Sequence, residues 1–302
     1  MTQLLIILMF SVNGEALDEV NIISDKNRIN EINKTEIASY LTQSENVQSD
    51  SLLVDIQSKI YNAFVQDRTS PENNALNKLN IRLENLYKAK NQNLILYWRS
   101  YLKFYSSINY LIKGDNKSAE NAINNGIELI QSVEKKYSED YALLAMIQSF
   151  SIQFNPGNAM YISVDIKKNV NSAISLDSTN MRAWYVLASN DFYTPEQYGG
   201  GKEAEKYLLK AISLPAQKIK NDYLPSWGKE ESYEMIIKLY IKKEKWDLAK
   251  KYFQEGITTF PKLCYKPISI QISRKINEIH PLRDLIFYFD SGFFSISVKG
   301  CC

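Results

Sequence analysis

The sequence predicts an all-α chain laid out as an elongated run of antiparallel helix pairs, and three observations carry that expectation. The 302 residues hold only 11 glycines and 8 prolines against 20 tyrosines, with 45% hydrophobic and 23% charged residues. That composition suits helices and is too poor in turn formers for a β-sandwich. Small residues recur at one late position of successive segments: Gly126, Ala173, Ala211 and Gly256. Apolar residues precede them at helical spacing, as Ala204 and Leu208 precede Ala211.

Taken in order, the first element is a targeting signal. The apolar run 4–10 is far shorter than the ~20 residues of a membrane span, and Gly14 and Ala16 place small residues at the −3 and −1 positions of a cleavage site. Residues 1–16 therefore read as a signal peptide, which makes the mature chain exported, periplasmic or envelope-associated, with no integral membrane span. A buried first helix in a cytoplasmic chain is the alternative. Residues 17–93 form a helical extension or cap, with helices expected over 50–64 and 73–89.

The repeats follow over 94–263. In 231–261, Tyr233, Ile236, Ile237 and Tyr240 occupy one helix, while Ala249, Phe253, Gly256 and Pro261 occupy the next and end it. Upstream, Trp184, Leu187 and Ala188 repeat the large, apolar, small order, and Ala204, Leu208 and Ala211 supply the second helix. A more degenerate copy holds Tyr110, Gly114, Ala119, Ile123 and Gly126, but puts Lys103, Ser106 and Ser107 where the aromatic and the apolar–small pair belong. This pattern resembles the tetratricopeptide repeat, and residues 94–263 resemble a group of bacterial secreted proteins of that family. The resemblance implies a right-handed α-solenoid with a binding or assembly role.

The late small positions are 47, 38 and 45 residues apart, longer than the ~34-residue unit, so the array carries insertions. These fall at 154–161, at 193–201 with its triple glycine, and at 215–227. In such a solenoid the first helix of each pair lines the concave face. That places Arg182, Tyr185, Ser189 and Tyr193 of one copy, and Glu231, Glu234, Lys238 and Lys242 of the next, in a groove for a protein or peptide. Tyr101, Phe104, Ile108 and Leu111 hold the equivalent positions earlier, too apolar for a wet groove, so the N-terminal helices should cover them. The alternative is a small-molecule or glycan-binding protein that stacks its ligand on Tyr185, Tyr193, Tyr198 and Trp227.

Enzyme chemistry finds no foothold in the sequence, and no catalytic residue, cofactor or metal is expected. The one histidine, His280, precludes multi-histidine metal sites, and Cys264, Cys301 and Cys302 lack zinc or redox spacing. A net charge of +2 argues against nucleic acid as a partner. Gly199, Gly200, Gly201 and Lys202 lack the spacing of a phosphate loop. Glu230, Glu231 and Glu234 suit a helix start better than an acid–base pair. Residues 264–302 read as a C-terminal cap, with Ile268, Ile272, Ile276 and Ile279 at helical spacing, and an aromatic tail.

Overall fold

The computed structural model describes residues 51–261, all of whose regular elements are helical. Ten α-helices run in order: α1 (Ile56–Thr69), α2 (Ala75–Lys90), α3 (Asn93–Ile112), α4 (Asn116–Gln131), α5 (Ser138–Ser151), α6 (Ala159–Leu176), α7 (Met181–Tyr193), α8 (Ala204–Ser213), α9 (Lys229–Lys242) and α10 (Trp246–Thr259). The chain divides into two compact units, one ending at Lys229 and one beginning at Glu230. The signal peptide and the C-terminal cap expected from the sequence lie outside the described residues. Among the described residues no helix is long and apolar enough to cross a membrane.

In the first unit the helices pack as pairs, α3 with α4, α5 with α6 and α7 with α8, and α4 also packs on α5 and α6 on α7. The small residues picked out by sequence explain how closely the pairs approach. A Cβ placed on Gly126 would lie 3.2 Å from Lys103 Cβ and 3.3 Å from the Ser100 carbonyl oxygen. Ala173 and Ala211 are fully buried. First-helix serines then reach across the seam: Ser100 Oγ donates to the Gly126 carbonyl at 2.8 Å, Ser107 to Ala119 at 2.7 Å, and Ser138 to Ala173 at 2.8 Å. A serine in a crossing slot thus keeps the residue small while satisfying its own hydroxyl in a dry seam.

Helix starts are capped by short polar side chains, in two ways. Asp115 accepts from Ser118 N at the head of α4, and Asn180 Oδ1 accepts from Arg182 N at the head of α7. Elsewhere the cap comes from the preceding helix. Asp67 of α1 accepts from Ala75 N and Leu76 N at the head of α2, and Asp191 of α7 accepts from Glu203 N at 2.9 Å and Ala204 N at 2.7 Å at the head of α8. The triple-glycine insertion serves the second of these caps. Gly199 and Gly201 take φ of +88° and +77°, and a Cβ on Gly200 would fall 2.0 Å from the Thr194 carbonyl oxygen.

Helices α1 and α2 match the two expected ahead of the repeats, although α1 starts at Ile56, after a turn, and runs on to Thr69. They share one hydrophobic core with the pairs, in which Leu53, Ile56, Ile60 and Leu83 are fully buried beside Trp98. Phe64 of α1 meets Tyr105 of α3 edge-on at 5.3 Å, but of the four residues expected beneath the N-terminal helices Tyr101 stacks on Trp227 and Phe104, Ile108 and Leu111 stay half-buried. In the second unit, Tyr240 of α9 packs on Tyr252 of α10, and Ala249 and Gly256 are buried as expected. Trp184, the large residue of its repeat, does not sit in the core. It is only half-buried, because its indole lies over Tyr207 while Nε1 donates to the Ser178 carbonyl.

Candidate functional site

Of the expected groove residues, Arg182 is not exposed: it is 5% accessible and fully engaged. Its Nε donates to Glu139 Oε2 at 2.5 Å and its Nη2 to Glu139 Oε1, a two-point pairing with the carboxylate. Nη1 donates to the Ala216 carbonyl at 2.8 Å and to that of Trp227 at 3.3 Å. The guanidinium also stands 5.8 Å from the Trp227 ring centre. Glu139 and Arg182 hold the same position in consecutive first helices, α5 and α7, and stacking those helices brings the two together.

Trp227 is likewise buried, at 3% accessibility, which overturns the expectation that it offers a stacking surface to a ligand. Its indole Nε1 donates to Tyr97 Oη at 2.7 Å, its ring stacks on Tyr101 at 6.2 Å, and Tyr185 meets it edge-on at 6.3 Å. Burial, with Glu139 nearby, pushes the Tyr97 phenol well above its ordinary range, so its oxygen stays neutral and able to accept. The whole third insertion is therefore a strap laid against the first helices. Gln57 Oε1 accepts from Ser226 N at 2.8 Å and Trp227 N at 3.1 Å, and Trp98 Nε1 donates to the Tyr223 carbonyl at 2.9 Å. Asp55 N donates to the Asp222 carbonyl, and Lys218 pairs with Asp177 at 2.7 Å.

What the strap leaves open is a half-buried aromatic face. Tyr185, Ser189 and Tyr193 lie on α7. Phe104 of α3 meets Phe150 of α5 edge-on at 5.0 Å, Phe150 meets Phe154 at 6.1 Å, and Ser149 Oγ donates to Asn190 Oδ1 of α7 at 2.9 Å. At one end an open depression of about 410 Å³ is lined by Leu111, Asn116, Lys117, Glu120, Gln153 and Phe154. These contacts join α3 to α5 and α5 to α7, and the depression adds charged and amide groups to the rings.

No protein-family model matches the chain, and no curated protein matches it. Among solved structures the chain is similar to the HusA haemophore from Porphyromonas gingivalis, with a TM-score of 0.45 and 19% identity over 61% of this chain and 92% of that one. A likeness at that level assigns this chain no ligand.

The remaining groove candidates belong to the second unit. Lys238 pairs with Glu234 on the surface of α9, Glu231 is half-buried and Lys242 is exposed. Glu230, at the head of α9, is pushed up to about 7 by burial and by the nearby Glu231 and Glu234. Tyr198 sits half-buried in a short 3-10 turn of the second insertion. Among the described residues no group of His, Cys, Asp and Glu could hold a metal. Sequence reasoning missed Gln57, Tyr97, Trp98 and Glu139, which hold the strap. Only Glu139 carried a signal, since sliding the repeat register back by one copy sets it beside Arg182.

Proposed function

We propose that this chain is a non-catalytic binding protein that takes a protein or peptide partner as an extended segment along the α3–α5–α7 face. The observation that carries this reading is the strap. The first helices already hold one irregular, non-helical segment, with side-chain groups bonded to its backbone at Tyr223, Ser226 and Trp227 and an aromatic anchor sunk among tyrosines. Phe154, Ser189, Asn190 and Tyr193 offer the same mixture of rings and polar groups beyond the strap. Side-chain donors aimed at a peptide backbone give affinity without demanding one sequence, and ring pockets supply the selectivity. In this reading the pairs continue as a tetratricopeptide-like, right-handed α-solenoid exported from a bacterial cell. Glu231, Glu234, Lys238 and Lys242 act as a charged surface of the second unit.

A displayed library of random peptides, panned on residues 17–302, tests the reading. Enrichment of peptides with a Trp, Tyr or Phe anchor is expected, and it should be lost in a Phe154→Ser, Tyr193→Ser variant whose circular dichroism is unchanged. No enrichment, or enrichment indifferent to the variant, sinks the proposal.

A further inference from the structure

The repeat register leaves one oddity unexplained. The first-helix slot that holds Tyr141, Trp184 and Tyr233 in the other copies holds Lys103 in α3, a cation where an aromatic is expected. Side chains that break the local pattern of a repeat mark places where something other than packing set the choice.

Lys103 does not sit alone. Arg99 is one helical turn earlier on α3, a like-charge spacing that destabilises a helix unless something offsets it. Both are drawn in between neighbouring helices. The Lys103 stem packs against Gly126 of α4, and the Arg99 guanidinium lies 6.0 Å from the Tyr87 ring centre of α2. The Arg99 side chain is only 11% accessible. Its Nη2 lies 3.4 Å from Glu84 Oε2, but Lys88 already holds the other oxygen of Glu84 at 2.8 Å. Arg99 Nε is buried and has no acceptor among the described residues. Lys103 is half-buried with no ion pair among the described residues. Burial and the Arg99 charge together pull its amine below the ordinary lysine value, and Glu84 only partly opposes them. Three cations thus share one carboxylate, and the two on α3 are partly desolvated. A desolvated cation is costly unless an anion or hydrogen-bond acceptors compensate it.

We infer that Arg99 and Lys103 form an oxyanion site between α2, α3 and α4, which takes a phosphate or sulfate group. The guanidinium supplies a planar fork whose Nε–H has no acceptor among the described residues, and the ammonium supplies a second charge from one turn away, a pair from which a doubly charged oxyanion gains more than a singly charged carboxylate. Glu84 holds the Arg99 fork in place. The site is separate from the peptide face, and its test does not depend on that reading.

The experiment is calorimetric titration of the full chain with inorganic phosphate, sulfate and acetate at matched ionic strength in chloride, alongside thermal unfolding in each salt. Phosphate and sulfate should bind, with acetate weaker, and should raise the unfolding midpoint of the wild type more than that of Lys103→Met, since general salting-out raises both alike. Lys103→Met and Arg99→Met should each weaken phosphate binding by about tenfold or more, the loss of one charge-assisted bond. If Arg99→Met does not fold, Lys103→Met alone decides, since it only returns an apolar side chain to an apolar slot. A phosphate response equal to that of chloride, or one that survives Lys103→Met, overturns the inference. Once phosphate binds, a soluble phosphate monoester and vesicles rich in phosphatidic acid separate a free ligand from a lipid headgroup.

Discussion

Replacing Arg182 by Met tests whether one ion pair fastens the strap. The substitution keeps most of the volume and removes the charge, so that four hydrogen bonds go at once: two to Glu139 and one each to the carbonyls of Ala216 and Trp227. Breaking a buried pair by removing one partner costs about 3–5 kcal/mol, because the other charge stays behind. The Glu139 side chain keeps 19% of its accessibility and can turn towards water, which sets the expected loss at the low end, about 3 kcal/mol. Urea unfolding of wild type, Arg182→Met, Glu139→Gln and the double variant measures that loss and the coupling between the two sites, expected at about 2 kcal/mol. Trypsin supplies an independent reading. Lys218 and Lys220 are exposed within the strap, and cleavage there should quicken in Arg182→Met before global unfolding begins. A loss below about 1 kcal/mol with no coupling would refute the claim that this pair fastens the strap.

Three further outcomes are expected. Glu244 takes φ of +55° at the turn where the earlier copy has Gly114 at +78°, so Glu244→Gly should stabilise the second unit by about 1 kcal/mol, read as a shift in urea midpoint. Gly200→Ala should cost about 1–3 kcal/mol by thermal unfolding, since the new methyl meets the Thr194 carbonyl oxygen. Glu230 titrates at about 7 in the folded chain against 4.5 ordinarily, so folding favours its protonated form, and stability falls as pH rises from about 4.5 through about 7. Glu230→Gln should flatten that slope between pH 5 and 8 in urea titrations, and a variant that keeps the wild-type slope removes Glu230 as its cause.

The helix pairs were legible because a repeat writes its packing locally. Ala119, Ala204 and Ala249 with Gly126, Ala173, Ala211 and Gly256 mark where two helices cross, and a crossing tolerates only small side chains whatever surrounds it. Insertions were legible as surplus length, and burial of Tyr101 as an excess of apolar residues on an otherwise exposed face, although Trp227 covers it rather than the N-terminal helices. Where an insertion goes is a long-range matter. Residues 214–228 carry no periodicity, and their position depends on Gln57, Tyr97, Trp98, Glu139 and Arg182 meeting from four helices. So Arg182 and Trp227, read from local spacing as surface residues, are buried. Local sequence determined which segments are helical and which of their residues cross. Tertiary structure alone decided which of the remaining side chains face water, because burial is set by what a distant segment of chain covers.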